Sequence, residues 1–203
     1  VSYGVGSTAK ALTDTRSLEH IDVVDISPEV LATSAAIFPR PEEDPLADPR
    51  VDVHVEDGRF FLQTTERRYD LITSEPPPPK YAGVVSLYSR EYCEMIHARL
   101  AEGGLATYWL PVHNLSESDA LAIIRAFCDA FANCTLWSGA GMDWMLVGSR
   151  GDPPPVDAEH FARQWQDPRV APELRALGFE TPAFLGTTFL AGSETLRQWT
   201  RDV

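Results

Sequence analysis

Polar and apolar positions along the chain follow two alternating periods. Val51-Asp52-Val53-His54-Val55 has the period of two expected of a half-buried strand, and His20 to Ile26 sets β-branched residues between polar flanks. Tyr69 to Thr73 and Leu105 to Leu110 predict further strands, and residues 1–3 the end of a first one. Helical spacing fills the intervals. Thr8 to Thr15 turns Ala9, Ala11 and Leu12 inward; Ser27-Pro28 opens a helix to Phe38, with Ser27 as N-cap and Pro28 where a missing N–H costs nothing. A helix through Phe60, Phe61 and Leu62 follows the third strand. Ser89 to Leu100 carries Tyr92, Met95, Ile96 and Leu100 on one face until Gly103-Gly104 stops it, and Ser116 to Phe131 carries Leu121, Ile124 and Phe127. Thr135 to Trp137 and Asp143 to Gly148 predict a late antiparallel pair around a Gly139–Gly141 turn.

Strand, turn and helix repeated in this order specify an α/β protein with a doubly wound, mostly parallel sheet. Residues 1–150 are expected to form its main domain, truncated at the amino end, because VSYGVGS reads as the end of a strand entering a glycine turn. Gly151 to Pro155 breaks the pattern. Residues 151–203 are expected as a small helical appendage around Phe161, Trp165, Leu174, Leu177, Phe184, Leu190 and Trp199.

Charge narrows the partners. Seventeen basic against thirty acidic residues give a net charge of -13, which argues against a general nucleic-acid surface or an anionic-membrane patch and favours cationic small molecules. Cys93, Cys128 and Cys134 show neither zinc-site spacing nor a disulfide framework, so free thiols in a reducing cytoplasm are expected. No stretch reads as a signal peptide or as a bilayer span.

Candidate chemistry falls at the strand ends, where ligands bind in an open parallel sheet. Gly4 and Gly6 form a turn whose backbone could approach a ligand; Asp25, ending the second strand, could accept both hydroxyls of a ribose. Asp57-Gly58 has two readings, a helix cap and an acceptor for an adenine amino group. Glu75, ahead of four prolines, is either a solvent-exposed acid before a linker or a catalytic base held by a stiff loop. Tyr81 and Tyr88 could wall a pocket. His113, after the fifth strand, could touch substrate, although a loop or capping role fits it too. No metal is expected.

From Gly4 to Gly148 the order of motifs resembles the spermidine synthase (polyamine aminopropyltransferase) family: the glycine turn, VVDISPEV, LADPRVDVHVEDGRFFL, YDLITSEP and LYSREYCEMIHARLAEGGL. The EPPPP, AGVV and LYS segments look most like bacterial spermidine synthase-like domains fused to membrane segments. The resemblance implies a Rossmann-like fold of the S-adenosylmethionine-dependent transferase type. It further implies transfer of an aminopropyl group from decarboxylated S-adenosylmethionine to an amine, with Asp25 on the ribose, Asp57 on the adenine and Glu75 as base. A homodimer and a covalent membrane tether outside this stretch are compatible with it. Two departures bear on specificity: Val5 stands where the family has an aspartate gripping the donor's amino group, and about Pro78 the family's second loop aspartate is replaced. A methyltransferase using intact S-adenosylmethionine, or a non-catalytic adenosyl-binding module of a membrane protein, are the alternatives.

Overall fold

The computed structural model describes residues 1–203 except 81–82, 140–141, 153–154 and 156. Helix α1 (Ser7–Asp14) leaves the glycine turn and is followed by β1 (Ile21–Asp25), α2 (Pro28–Ala32), α3 (Ser34–Ile37), β2 (Val51–Val55), α4 (Gly58–Thr64) and β3 (Tyr69–Ser74). Then come α5 (Arg90–Arg99), β4 (Leu100–Pro111), α6 (Glu117–Ala130), β5 (Thr135–Ser138) and β6 (Asp143–Ser149). The chain ends with α7 (Ala158–Ala162), α8 (Ala171–Ala176), α9 (Pro182–Gly186), β7 (Phe189–Ala191) and α10 (Ser193–Trp199).

β1 pairs in parallel with β2, and a second ladder runs in the order β3-β4-β6-β5-β7. β3 is parallel to β4, while β6 is antiparallel to both β4 and β5, so β3, β4 and β5 share one direction and only β6 and β7 reverse. Residues 1–3, expected to end a strand, form no regular strand, because Ser2 takes a left-handed φ of 68°. They nevertheless link the ladders. Ser2 N donates to Val24 O at 2.9 Å, Val1 N to Thr73 O at 2.8 Å, and Glu75 N to Val1 O at 3.2 Å.

Two apolar clusters follow from the amphipathic faces. Ile21 and Val23 of β1 pack with Tyr3, Ala9 and Leu31, which closes α1 and α2 onto one ladder. The larger core joins Ile72, Tyr108, Leu110, Leu136 and Leu146 of the second ladder to Leu62, Tyr92, Ile96, Ile124, Phe127 and Leu196. Burying residues of this size removes roughly 1.5–3 kcal/mol each of unfavourable hydration, which makes this cluster the main anchor of the fold.

Arg50 fastens the start of β2 to the end of α1. Its guanidinium donates to the carbonyls of Thr13, Thr15 and Leu18 and, bidentately, to Asp48 at 2.9 and 2.8 Å. Those hydrogen bonds from Arg50 hold the Asp48 carboxyl at about 2, below its ordinary 3.8. A carboxylate depressed in the folded state contributes stability above its unfolded pKa and loses it as pH falls through the folded one. Urea denaturation should therefore show a loss between about pH 4 and pH 2 that Asp48→Asn removes.

Four local departures have identifiable causes. The helix expected from Ser27 to Phe38 divides at Thr33, whose hydroxyl donates to Val30 O at 2.6 Å and competes with the helical ladder. Gly103 and Gly104 do not end α5; they lie within β4, where Gly103 has φ 75° and a Cβ on Gly104 would stand 2.8 Å from Tyr69 O. Cys128 and Cys134 are not the free thiols expected: they form a disulfide, their Cα atoms brought to 5.3 Å because the chain folds back from α6 into β5. Only Cys93 is free, and it is buried. Finally, β7 arises in a stretch whose pattern predicts helices alone, and it returns to pair with β5. Among the described residues no helix is long and apolar enough to cross a membrane.

Candidate active site

The glycine turn is shaped by two left-handed residues, Gly4 at φ 58° and Gly6 at φ 80°. A Cβ at Gly6 would also run into the Tyr3 ring, so that position excludes any larger residue twice over. Tyr3 just before the turn and Thr8 just after it contact the acids at the end of β1 and after β3.

Asp25 is held by two backbone donors: Tyr3 N to Oδ2 at 2.7 Å and Ser27 N to Oδ1 at 2.9 Å. A carboxylate offers about four lone-pair sites, so each oxygen keeps capacity for a further donor. The backbone of Asp25 also accepts from Glu56 N at 3.0 Å, which sets the end of β2 beside it. Asp57 caps α4, its Oδ1 accepting from Arg59 N at 2.9 Å and Phe60 N at 3.0 Å, and Oδ2 receives no hydrogen bond from the described residues. The capping reading is thus realised with one oxygen to spare. Gly58 lies against Val1, where a Cβ would come within 2.5 Å of the valine side chain.

Glu75 follows β3 and is half-buried. Thr8, in the first turn of α1, donates to its Oε1 at 2.5 Å, so the carboxylate is aimed by the helix that leaves the glycine turn. Asp25, Gly58 and Glu75 are thus gathered around residues 1–6.

The proline run is strapped at both ends. Tyr88 is buried rather than open to a pocket, and its hydroxyl lies 3.0 Å from Pro76 O and 3.1 Å from Pro77 O, sharing its proton between them. Lys80 Nζ donates to Asn114 Oδ1 at 2.8 Å. Removing a buried hydroxyl that serves such carbonyls costs about 1–3 kcal/mol, so Tyr88→Phe should lower unfolding stability by that amount in urea titrations and loosen the loop that carries Glu75. Tyr81 lies outside the described residues. His113, in the turn after β4, has Nδ1 3.5 Å from Asp143 Oδ1, and Lys80 of the proline loop reaches its neighbour Asn114.

Pattern reading missed two residues of this rim, Thr8 and Ile26. Thr8 gives no sequence signal, since its partner is 67 positions away. Ile26 is 69% exposed and Val5 63% exposed, beside Asp25 and within the glycine turn. An apolar side chain just past the end of a buried strand was the available hint for Ile26. A cavity of about 620 Å³ lies between β1 and β3, away from this rim, lined by His20, Asp22, Arg67 and Tyr69 among others.

Residues 4–137 match the family described as Spermine/spermidine synthase domain. The polyamine aminopropyltransferase of Alkaliphilus metalliredigens is 33% identical over 105 residues, 52% of this chain and 36% of that protein, so the match spans about a third of the relative's length. Spermidine synthase from Thermotoga maritima superposes with a TM-score of 0.67 at 13% identity, covering 98% of this chain and 67% of that one. Human methyltransferase-like protein 13, solved in complex with SAH, gives 0.61 at 17% identity over 86% of this chain and 79% of its own. At such identities the structural likeness establishes the Rossmann-like fold shared by both groups. The match to the family over two thirds of the sequence goes further: this chain belongs to the spermine/spermidine synthase domain family.

Proposed function

We propose that this rim binds an adenosyl sulfonium donor and transfers an aminopropyl group from decarboxylated S-adenosylmethionine to a small amine. The observation that carries the reading is the joint anchoring of Asp25 and Glu75 on one short segment, through Tyr3 N and Val1 O. Asp25 has lone pairs left for two ribose hydroxyls, and Asp57 Oδ2 for an adenine amino group. Exposed Ile26 and Val5 offer apolar surface to the flat base beside them. The residues present therefore fit an adenosyl group.

The acceptor enters as an alkylammonium and cannot attack until it loses a proton. Glu75 attracts that cation and takes the proton; the freed nitrogen pair then forms a bond to the methylene carbon as the carbon–sulfur bond breaks toward sulfur, releasing neutral methylthioadenosine. Thr8 keeps one carboxylate oxygen occupied and so leaves the other to face the amine. Aligning nitrogen, carbon and sulfur supplies much of the remaining acceleration, which gives the stiff proline loop a purpose. Tyr88 serves by holding that loop.

A second reading, methyl transfer from intact S-adenosylmethionine, is favoured by Val5 alone. A neutral, exposed side chain in the glycine turn neither grips an ammonium nor repels a carboxylate. Incubating the protein with decarboxylated S-adenosylmethionine and a panel of diamines separates these ideas. Methylthioadenosine should appear with at least one amine; its absence with every amine defeats the proposal.

A further inference from the structure

β1 and β2 carry short sequences that mirror one another: His20-Ile21-Asp22 leads into β1, and Asp52-Val53-His54 runs along β2. Asp22 stands opposite Asp52 in the parallel register. Side chains two apart share one face of a strand, so all four groups lie on one face of the pair, with His54 reaching back toward Asp22.

Their atoms are close. The Asp22 side chain is only 4% exposed; its Oδ1 lies 2.7 Å from His54 Nε2, and its Oδ2 accepts from Tyr69 OH at 2.8 Å and lies 3.1 Å from His20 Nε2. His20 Nε2 is 3.7 Å from Asp52 Oδ2. Ligand atoms of His20, Asp22 and Asp52 all fall within 4.8 Å of one another. Arg67 Nη1 sits among them, 3.3 Å from Asp22 Oδ2 and 4.0 Å from Asp52 Oδ2, and against His20 Nε2. A guanidinium only donates, so it meets the imidazole lone pair, the same pair that a metal would take.

We propose that His20, Asp22 and Asp52 form a binding site for a zinc-like divalent cation, with His54 orienting Asp22 and Arg67 supplying the positive charge in the metal-free protein. One imidazole and two carboxylates are ordinary zinc ligands, and bonds of about 2.0–2.2 Å set tetrahedral ligand atoms about 3.3–3.5 Å apart. The observed separations of 3.1 and 3.7 Å bracket that value. His54 on the far oxygen of Asp22 is the outer contact that fixes a metal-binding carboxylate. Arg67, 55% exposed on a flexible stem, can leave toward solvent. Asp22 and Asp25 are three residues apart along β1, about 10 Å, so the cation would clip β1 to β2 behind the ribose-binding end without entering the transfer reaction.

Equilibrium dialysis of the tag-free chain against zinc chloride should retain one ion per chain, and cobalt(II) chloride should give the visible absorption of a four-coordinate site. Free zinc at a hundredfold excess over its dissociation constant should raise the melting temperature by about 5–10 °C. His20→Ala and Asp52→Asn, both at accessible positions, should each weaken binding more than tenfold, and His54→Ala about 10–100-fold. Arg67→Ala should tighten it, because a competing cation is gone. Failure to retain zinc, binding unchanged in His20→Ala and Asp52→Asn, or weaker binding in Arg67→Ala would each overturn the proposal and leave a plain salt-bridge cluster.

Discussion

Glu75→Gln is expected to lower aminopropyl transfer by about 10²–10⁴-fold, the range that a positioned general base contributes. Glutamine keeps the volume and can still receive the Thr8 hydroxyl through its carbonyl oxygen, so the end of β3 should hold its shape. What it loses is the negative charge that draws in the ammonium and the lone pair that accepts its proton. The affinity for methylthioadenosine, which lacks the amine, should stay within a few-fold of the parent protein in calorimetry. A parallel loss of nucleoside binding would instead assign Glu75 to the donor pocket. Retained turnover would remove it from the reaction.

Asp25→Ala should have the second largest effect, and on two properties at once. Tyr3 N and Ser27 N lose their acceptor, and hydrogen bonds to a charged group contribute about 1.5–3 kcal/mol each, so urea titration should show a clear destabilisation. The same carboxylate is the proposed ribose acceptor. Losing two charge-assisted bonds of this size predicts a fall in methylthioadenosine affinity of 100-fold or more. Asp25→Asn distinguishes the two roles: one amide oxygen can still serve Ser27 N, but the amide nitrogen then faces Tyr3 N, donor against donor. It should fold better than the alanine variant and still bind poorly.

Much of this molecule was legible from side-chain periodicity. Val51 to Val55 forms the strand its alternation predicts, but Val53 and Val55 face outward and it is His54 that lies against Phe61 of α4, with ring centroids 4.7 Å apart and the planes tilted. The strand-end positions of Asp25, Asp57 and Glu75 follow from the same periodicity, since a parallel sheet gathers what comes after each strand. Contacts between distant residues were not legible. Nothing near Thr8 announces a carboxylate 67 residues later, and nothing near Cys128 says that the chain will turn back within six residues. The split at Thr33 depends on a single hydroxyl choosing a backbone carbonyl over solvent, an energy difference smaller than any pattern resolves. Tyr88 illustrates a further limit. The sequence suggested a pocket wall, but whether an aromatic ring faces a ligand or braces a loop depends on where its hydroxyl finds an acceptor, and here two proline carbonyls provide it.

Val5 leaves the donor as the sharpest question. An equimolar mixture of decarboxylated and intact S-adenosylmethionine, offered with putrescine and resolved by mass spectrometry, tests it in one vessel. The account predicts methylthioadenosine and an aminopropylated amine, both lost in Glu75→Gln. S-adenosylhomocysteine with a methylated amine would contradict it.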